Sequence, residues 1–205
     1  MPSSSAPACR GRRVTREGGS GYDPGLGGSR GSHDVHSHSF APVARPDARV
    51  LVLGSLPGQV SLREQQYYAQ PRNDFWKILG VLVGASPERS YADRLEALKA
   101  HRIALWDVCA SAQRPGSLDA SIRHATVVAN DFATFFRTHP QIGLICFNGR
   151  KAADLYRRFV LPGLPKPLQA IRCEVLPSTS PAHAAMRFDQ KLAQWSVVCS
   201  GSAGK

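Results

Sequence analysis

Three short apolar runs and a fourth, mixed strand segment, separated by stretches with helical spacing, constrain this chain more than any other feature. Val50-Leu51-Val52-Leu53 ends at Gly54, and Ile103-Ala104-Leu105-Trp106 ends at Asp107. The run from Ile142 to Phe147 ends at Asn148-Gly149, and a fourth strand is expected from Ile171 to Leu176, ending at Pro177. Continuous apolar strands of this length are buried on both faces, which is the habit of a parallel sheet. Between them, Phe75, Ile78, Leu79 and Leu82 recur at helical spacing up to Gly84, and Ser90 can cap a helix carrying Leu95 and Leu98. Further helices are expected around residues 131–137, 149–160 and 188–195, bearing Phe132, Phe135 and Phe136, then Tyr156 and Phe159, then Trp195. The alternation predicts an α/β fold, with a four-stranded parallel sheet covered by helices on both faces.

Residues 1–39 break the pattern. They hold 8 Gly, 8 Ser and 3 Pro with no apolar periodicity, which predicts a disordered tail. One domain is expected over residues 40–198 and a flexible C-terminus over 199–205. Hydrophobic types make up 42% of the 205 residues, a globular share. No apolar run nears the roughly 20 residues of a membrane span, and the opening residues lack the apolar core of a secretory signal. A monomer in the cytoplasm (nucleoid-associated in a bacterium) is the expectation.

Lys and Arg exceed Asp and Glu by 26 to 15, a formal charge of +11. The tail carries five Arg against three acids, so most of the excess belongs to the domain and points to a polyanionic partner. The five cysteines are odd in number and lack C-x-x-C spacing, and three lie in apolar stretches, so small buried hydrophobes are expected rather than disulfides or a zinc site. His33, His36 and His38 cluster in the polar stretch without the spacing of a metal site.

In a parallel sheet, ligands bind beyond the carboxyl ends of the strands. Four segments meet there: Gly54-Ser55-Leu56-Pro57-Gly58, Asp107-Val108, Asn148-Gly149 and Pro177-Ser178-Thr179-Ser180-Pro181. The first is neither a Walker loop nor a dinucleotide fingerprint, and by itself it reads equally as a tight turn. Tyr67-Tyr68-Ala69-Gln70-Pro71-Arg72-Asn73-Asp74-Phe75-Trp76 places four aromatics beside Arg72 and two amides. Such a stretch can stack on a planar base, worth about 1–3 kcal/mol per base, or can pack its own helix with Asn73 as cap. The Ser- and Pro-rich loop from Ser178 to His183 can grip phosphates or serve as a plain connector. Asp107 can meet a base edge or cap a turn.

Five blocks recur in order: Gly54-Ser55-Leu56-Pro57-Gly58-x-x-Ser61; Tyr67-Tyr68-Ala69-x-Pro71-x-Asn73-x-Phe75-Trp76; Arg114-x-Gly116-Ser117-Leu118-Asp119; Phe147-Asn148-Gly149; and Leu176-Pro177-Ser178-x-Ser180-Pro181-Ala182. Together they resemble the hypoxanthine-DNA glycosylase branch of the uracil-DNA glycosylase superfamily, over about residues 38–195. The resemblance implies a three-layer α/β/α sandwich and a monofunctional DNA glycosylase that hydrolyses the N-glycosidic bond of a flipped deaminated base in base-excision repair. It implies no cofactor and no metal, and DNA as partner. It puts the catalytic load on Asn73, because Leu56 holds the place where many relatives carry Asp or Asn. Gly54, Ser55, Pro57, Gly58, Tyr68, Phe75 and Asp107 are then expected to shape the base pocket, with Phe75 the principal stacking ring. Ser61, Ser178, Thr179, Ser180, Pro181, Ala182 and His183 are expected on the DNA. A uracil or mismatch glycosylase on the same scaffold, or a non-catalytic lesion binder, is the alternative. Lys77 is the only lysine near the pocket in sequence.

Overall fold

The structure, a computed structural model, describes residues 36–183 and 185–202. Its elements in chain order are β1 (His36–His38), β2 (Val50–Gly54), α1 (Gln59–Glu64), α2 (Phe75–Val83), α3 (Tyr91–Ala100), β3 (Ile103–Asp107), β4 (Cys109–Gln113), β5 (Val128–Ala129), α4 (Phe132–Thr138), β6 (Leu144–Asn148), α5 (Arg150–Phe159), α6 (Lys166–Gln169), β7 (Arg172–Leu176), α7 (Phe188–Trp195) and α8 (Val197–Ser202). The main sheet has the order β3-β2-β6-β7 and every pairing in it is parallel. No helix among the described residues is long and apolar enough to cross a membrane.

Strand alternation divides the core between the two faces. Leu51, Leu53, Trp106, Ile145 and Phe147 pack with the α4 and α5 residues Phe132, Phe136, Ala152 and Tyr156. Val50, Val52, Leu105, Leu144 and Cys146 pack on the other face with Phe75, Ile78, Leu79, Leu98, Trp195 and Val198. The expected three-layer α/β/α sandwich is thus realised, the consequence of the continuously apolar strands β2 and β6 at its centre, with the mixed strand β7 at one edge. The caps read from sequence are also present. The Ser90 side chain accepts from the Asp93 amide at the start of α3, and Gly84 closes α2 at φ +73°.

Other features depart from the sequence reading. A second, antiparallel sheet joins β1, β4 and β5 in the order β1-β4-β5. His36–His38 pair with Ser111–Gln113, so a paired strand lies inside the segment assigned to the tail; residues 1–35 lie outside the described residues. Their backbone bonds do not depend on apolar side chains, so the composition of residues 1–39 concealed them. At the other end α8 extends the folded part past residue 198. A Cβ at Gly201 would stand 2.7 Å from Leu144 and 2.8 Å from Val50, so α8 is packed hard on the sheet. Helix α1 occupies what reads as polar loop, and the third strand starts at Leu144 rather than Ile142. Cys109 and Cys146 are buried as expected, but Cys173 is exposed on the edge strand β7.

Candidate active site

The carboxyl ends of the strands open into a cleft of about 750 Å³, lined by the first loop, the start of α2, residues 114–120, the start of α5 and the last loop. At its floor, Gly54 pairs with Asp107 across β2 and β3. A Cβ on Gly54 would lie 2.4 Å from Asp107 Oδ1 and 2.9 Å from the Tyr68 hydroxyl, so only glycine lets both polar atoms approach the backbone. Gly58 differs: a Cβ there would meet nothing within 4 Å.

Asp107 is buried, and its Oδ2 accepts a hydrogen bond from Ser39 Oγ at 3.2 Å. Desolvation pushes its pKa up to about 7; the Ser39 bond and Arg114 oppose the rise and the charge of Asp119 adds to it. A carboxyl poised between its two forms can both donate to and accept from a base edge.

Tyr68 supplies the aromatic surface. Its ring lies 3.9 Å from that of Phe75 at 18°, a stacked pair. Phe75 is wholly buried, edge-on to Trp76 and Trp195. The expected principal stacking ring therefore backs the site, and Tyr68 covers it and lines the cleft. Its side chain is larger than a turn needs, yet its backbone is left-handed at φ +54°, a conformation that costs a non-glycine residue on the order of 1 kcal/mol or more. The Tyr68 hydroxyl is buried and makes no hydrogen bond of normal geometry, and burial raises its pKa further above neutrality.

Asn73 also lines the cleft, immediately before α2. Its Oδ1 accepts from the Phe75 amide at 3.0 Å, which fixes the side chain and leaves Nδ2 without a partner among the described residues. Asp74, not Asn73, is the N-cap residue of α2 and makes no side-chain cap bond; the Asn73 bond is a local turn leading into the helix, and it leaves the amide nitrogen to a ligand. The placement of Asn73 depends on a relay. Asn148 Nδ2 donates to Thr179 Oγ1 and Asn148 Oδ1 accepts from the Thr179 amide, each at 2.9 Å. The Thr179 carbonyl then accepts from the Asp74 amide at 3.0 Å. Thr179, expected on the DNA, is wholly buried and acts as this link. Asp74 is anchored further by Lys191 Nζ at 2.8 Å.

The rest of the last loop lines the cleft as a self-bonded turn: Ser178 Oγ accepts from the Ser180 amide and Ser180 Oγ from the Ala182 amide. Ala182 and His183 are exposed at its tip, with Pro181 half-buried beside them. Ser61 is buried, and its hydroxyl accepts from the Ala69 amide, holding the loop that carries Tyr68 rather than facing outward. On the opposite wall, buried Arg114 donates to the Leu56 carbonyl at 3.0 Å and to the Pro57 carbonyl. It also lies 3.5 Å from Asp119 Oδ1, which accepts from Ser55 Oγ at 2.7 Å. Burial raises the Asp119 carboxyl above its ordinary range, while Ser55, Arg114 and Lys151 pull it down. Leu56 is buried in the core.

Arg114 and Asp119 belong to a block visible in the sequence, but its spacing gave no hint that it clasps the first loop. The cations at the rim are similarly long-range. Arg72 and Arg150 are exposed, with no ion pair among the described residues. Lys151 lines the cleft with Nζ 2.8 Å from His124 Nε2, and its charge lowers the His124 pKa. It, rather than Lys77, is the lysine of the cleft; Lys77 is exposed and lies 3.7 Å from Asp74.

Residues 41–198 match the Uracil DNA glycosylase superfamily. A hypoxanthine DNA glycosylase of Methanosarcina acetivorans is 37% identical over 160 residues, 78% of this chain and 95% of its own. The hypoxanthine DNA glycosylase of Methanosarcina barkeri is 41% identical over 121 residues, 58% of this chain and 75% of its own. A solution NMR structure of a Methanosarcina acetivorans protein, provisionally assigned as a uracil DNA glycosylase, superposes with a TM-score of 0.68 at 34% identity, covering 82% of this chain and all of that one. With a parallel sheet, a cleft at its carboxyl ends and a superfamily match spanning most of its length, the chain belongs to the uracil DNA glycosylase superfamily.

Proposed function

We propose that this DNA glycosylase releases hypoxanthine from deoxyinosine, as the first step of base-excision repair, acting as a monomer on DNA. The observation that carries the reading is the meeting of Tyr68, Asp107 and the Asn73 amide in one cleft, together with the names of the two Methanosarcina relatives. Hydrolysis of the bond makes the sugar positive and the departing purine negative. Tyr68, stiffened by Phe75, stacks on the flipped base. Asp107, neutral in part at pH 7, meets the polar edge of the purine, where a fixed carboxylate would repel its acceptors. Asn73 Nδ2 donates to the developing charge or to the attacking water, an interaction strengthened by its being held before the reaction begins. Ser178, Ser180, Pro181, Ala182 and His183 grip the strand beside the lesion, with Arg72 and Arg150 on flanking phosphates.

The product is an intact abasic site. Strand cleavage by a glycosylase needs an amine that forms a Schiff base with the sugar, and Lys151 is held at the rim by His124 while Lys77 sits beside Asp74. Duplexes carrying one deoxyinosine, deoxyuridine or deoxyxanthosine test the reading directly. Hypoxanthine release fastest of the three is expected, and binding without turnover would identify a lesion sensor instead. Borohydride yields no covalent adduct on this reading; an adduct that vanishes in Lys151→Ala would refute the monofunctional chemistry.

A further inference from the structure

We propose that Asp119 is the general base of this site, receiving the proton of the water that attacks the sugar; the inference rests on the hydrolytic reading above. The first loop offers no proton acceptor, because Leu56 is buried in the core and Ser55 spends its hydroxyl on Asp119. The Asn73 amide orients a water but is not basic enough to deprotonate it. A hydrolysis that begins from water therefore needs another group.

Among the titratable residues lining the cleft, the cationic and phenolic side chains are poor acceptors at neutral pH, which leaves Asp107, His183 and Asp119. Asp107 lies beneath Gly54 and Tyr68 with one oxygen bonded to Ser39, in the place of the base edge. His183 is exposed at the tip of the last loop. Asp119 stands between these extremes, its side chain 43% exposed. Its Oδ1 is fixed by Ser55 and flanked by Arg114, while Oδ2 has no partner among the described residues. One oxygen anchored and one free is the arrangement that aims a carboxylate at a water.

In the step itself, the water oxygen forms a bond to C1′ as the bond from C1′ to the purine nitrogen breaks. The bonding pair leaves with the purine, which then takes a proton from solvent, and the water's proton passes to Asp119 Oδ2. Burial raises the Asp119 carboxyl, while the Ser55 hydroxyl, Arg114 and Lys151 pull it back toward its ionised form, and its charge in turn helps to raise Asp107.

Single-turnover release of hypoxanthine from a deoxyinosine duplex by the full chain tests this. Asp119→Asn keeps an acceptor for Ser55, so it preserves that half of the clasp on the first loop while removing the charge beside Arg114. Its rate is expected to fall about 10²-fold, within the range that a positioned base supplies, with duplex affinity within twofold of wild type. Asp119→Ala should be equally slow, and added formate should restore its rate at least tenfold without accelerating the wild type. A rate for Asp119→Asn within threefold of wild type overturns the proposal. So does a loss of rate matched by loss of affinity and unmoved by formate, which would make Asp119 a positioning residue. If Asp119→Asn does not fold, Asp119→Ser, which also keeps an acceptor for Ser55 but no carboxylate, decides: a rate more than threefold lower at unchanged affinity supports the base, and a rate within threefold of wild type refutes it. Wild type that binds the duplex but releases no hypoxanthine refutes the substrate reading, and this proposal with it.

Discussion

The two walls of the cleft are built on the same plan with different chemistry. On one wall, Asn148, Thr179 and the Asp74 amide connect β6, the last loop and α2 through neutral hydrogen bonds. On the other, Arg114, Ser55 and Asp119 tie the first loop to residues 114–119 through charge. The neutral wall matches donors to acceptors: one amide side chain engages both the hydroxyl and the backbone of Thr179. The charged wall is less well matched, for Arg114 is buried with its Nε unpaired and shares a single carboxylate oxygen with Ser55. Matched neutral bonds hold a geometry, whereas incompletely matched charges shift proton affinities. Asn73, which must be oriented, is held through the first wall, and the carboxylates whose affinities are raised lie on or below the second.

The largest effect expected from breaking this contrast is on stability at the charged wall. Arg114→Met leaves the Leu56 and Pro57 carbonyls and Asp119 without their buried partner, and should cost about 3–5 kcal/mol in denaturant unfolding. A cost below 1 kcal/mol would show that the wall does not depend on its charge.

Asp107 should make stability depend on pH. Below about pH 4 its carboxyl is protonated whether the chain is folded or not. As pH rises toward 7 the unfolded chain ionises first, because the folded pKa stands near 7, so the folded state loses stability over that window. The loss is at most on the order of 4 kcal/mol, since each tenfold difference in proton affinity between the two states is worth about 1.4 kcal/mol. Asp107→Asn should flatten thermal stability between pH 4 and 7, and an unchanged slope would place the effect elsewhere.

At the neutral wall, Asn73→Ala should fold normally and slow hypoxanthine release by 10²–10³, about 2.7–4 kcal/mol of transition-state interaction. Near-normal single-turnover rates would remove Asn73 from the chemistry. The smallest change concerns the rim: Arg72→Ala and Arg150→Ala should each lower the slope of log K against log salt by about 0.9, with the chemical step unaffected. A slope untouched by either would show that these cations contact no phosphate.

The parallel sheet was legible in the sequence because a strand buried on both faces must be apolar throughout, and Val50 to Leu53 is. The antiparallel sheet was not. Cys109-Ala-Ser-Ala-Gln113 has no alternation of large apolar and polar residues, and its partner His36-Ser-His38 is polar. Backbone pairing defines these strands, with only the small side chains of Cys109 and Ala112 reaching the core. In the cleft, the Asn73 and Tyr68 region stood out because its aromatics are crowded within a few residues. The roles within it were harder to read, since Tyr68 comes to cover Phe75 only through a left-handed turn. Thr179 read as a surface hydroxyl because nothing local reveals that Asn148, 31 residues earlier, buries it. The clasp between Ser55 and Asp119 spans 64 residues and was equally hidden.

The Thr179 relay also limits how this scaffold can be altered. Asn148, Thr179 and Asp74 come from three segments, yet the side chain of one and the backbones of the other two form a single connected path to Asn73. Gly149 adds a steric condition, since a Cβ there would stand 3.0 Å from Ser178 Cβ. A last loop transplanted from another protein therefore changes this wall of the cleft only at the risk of unseating the amide on a different segment. Exchanges that carry residues 148–149 along with 177–183 as one module keep the path intact, and loop swaps that ignore it trade catalysis for specificity without touching a single residue of the pocket floor.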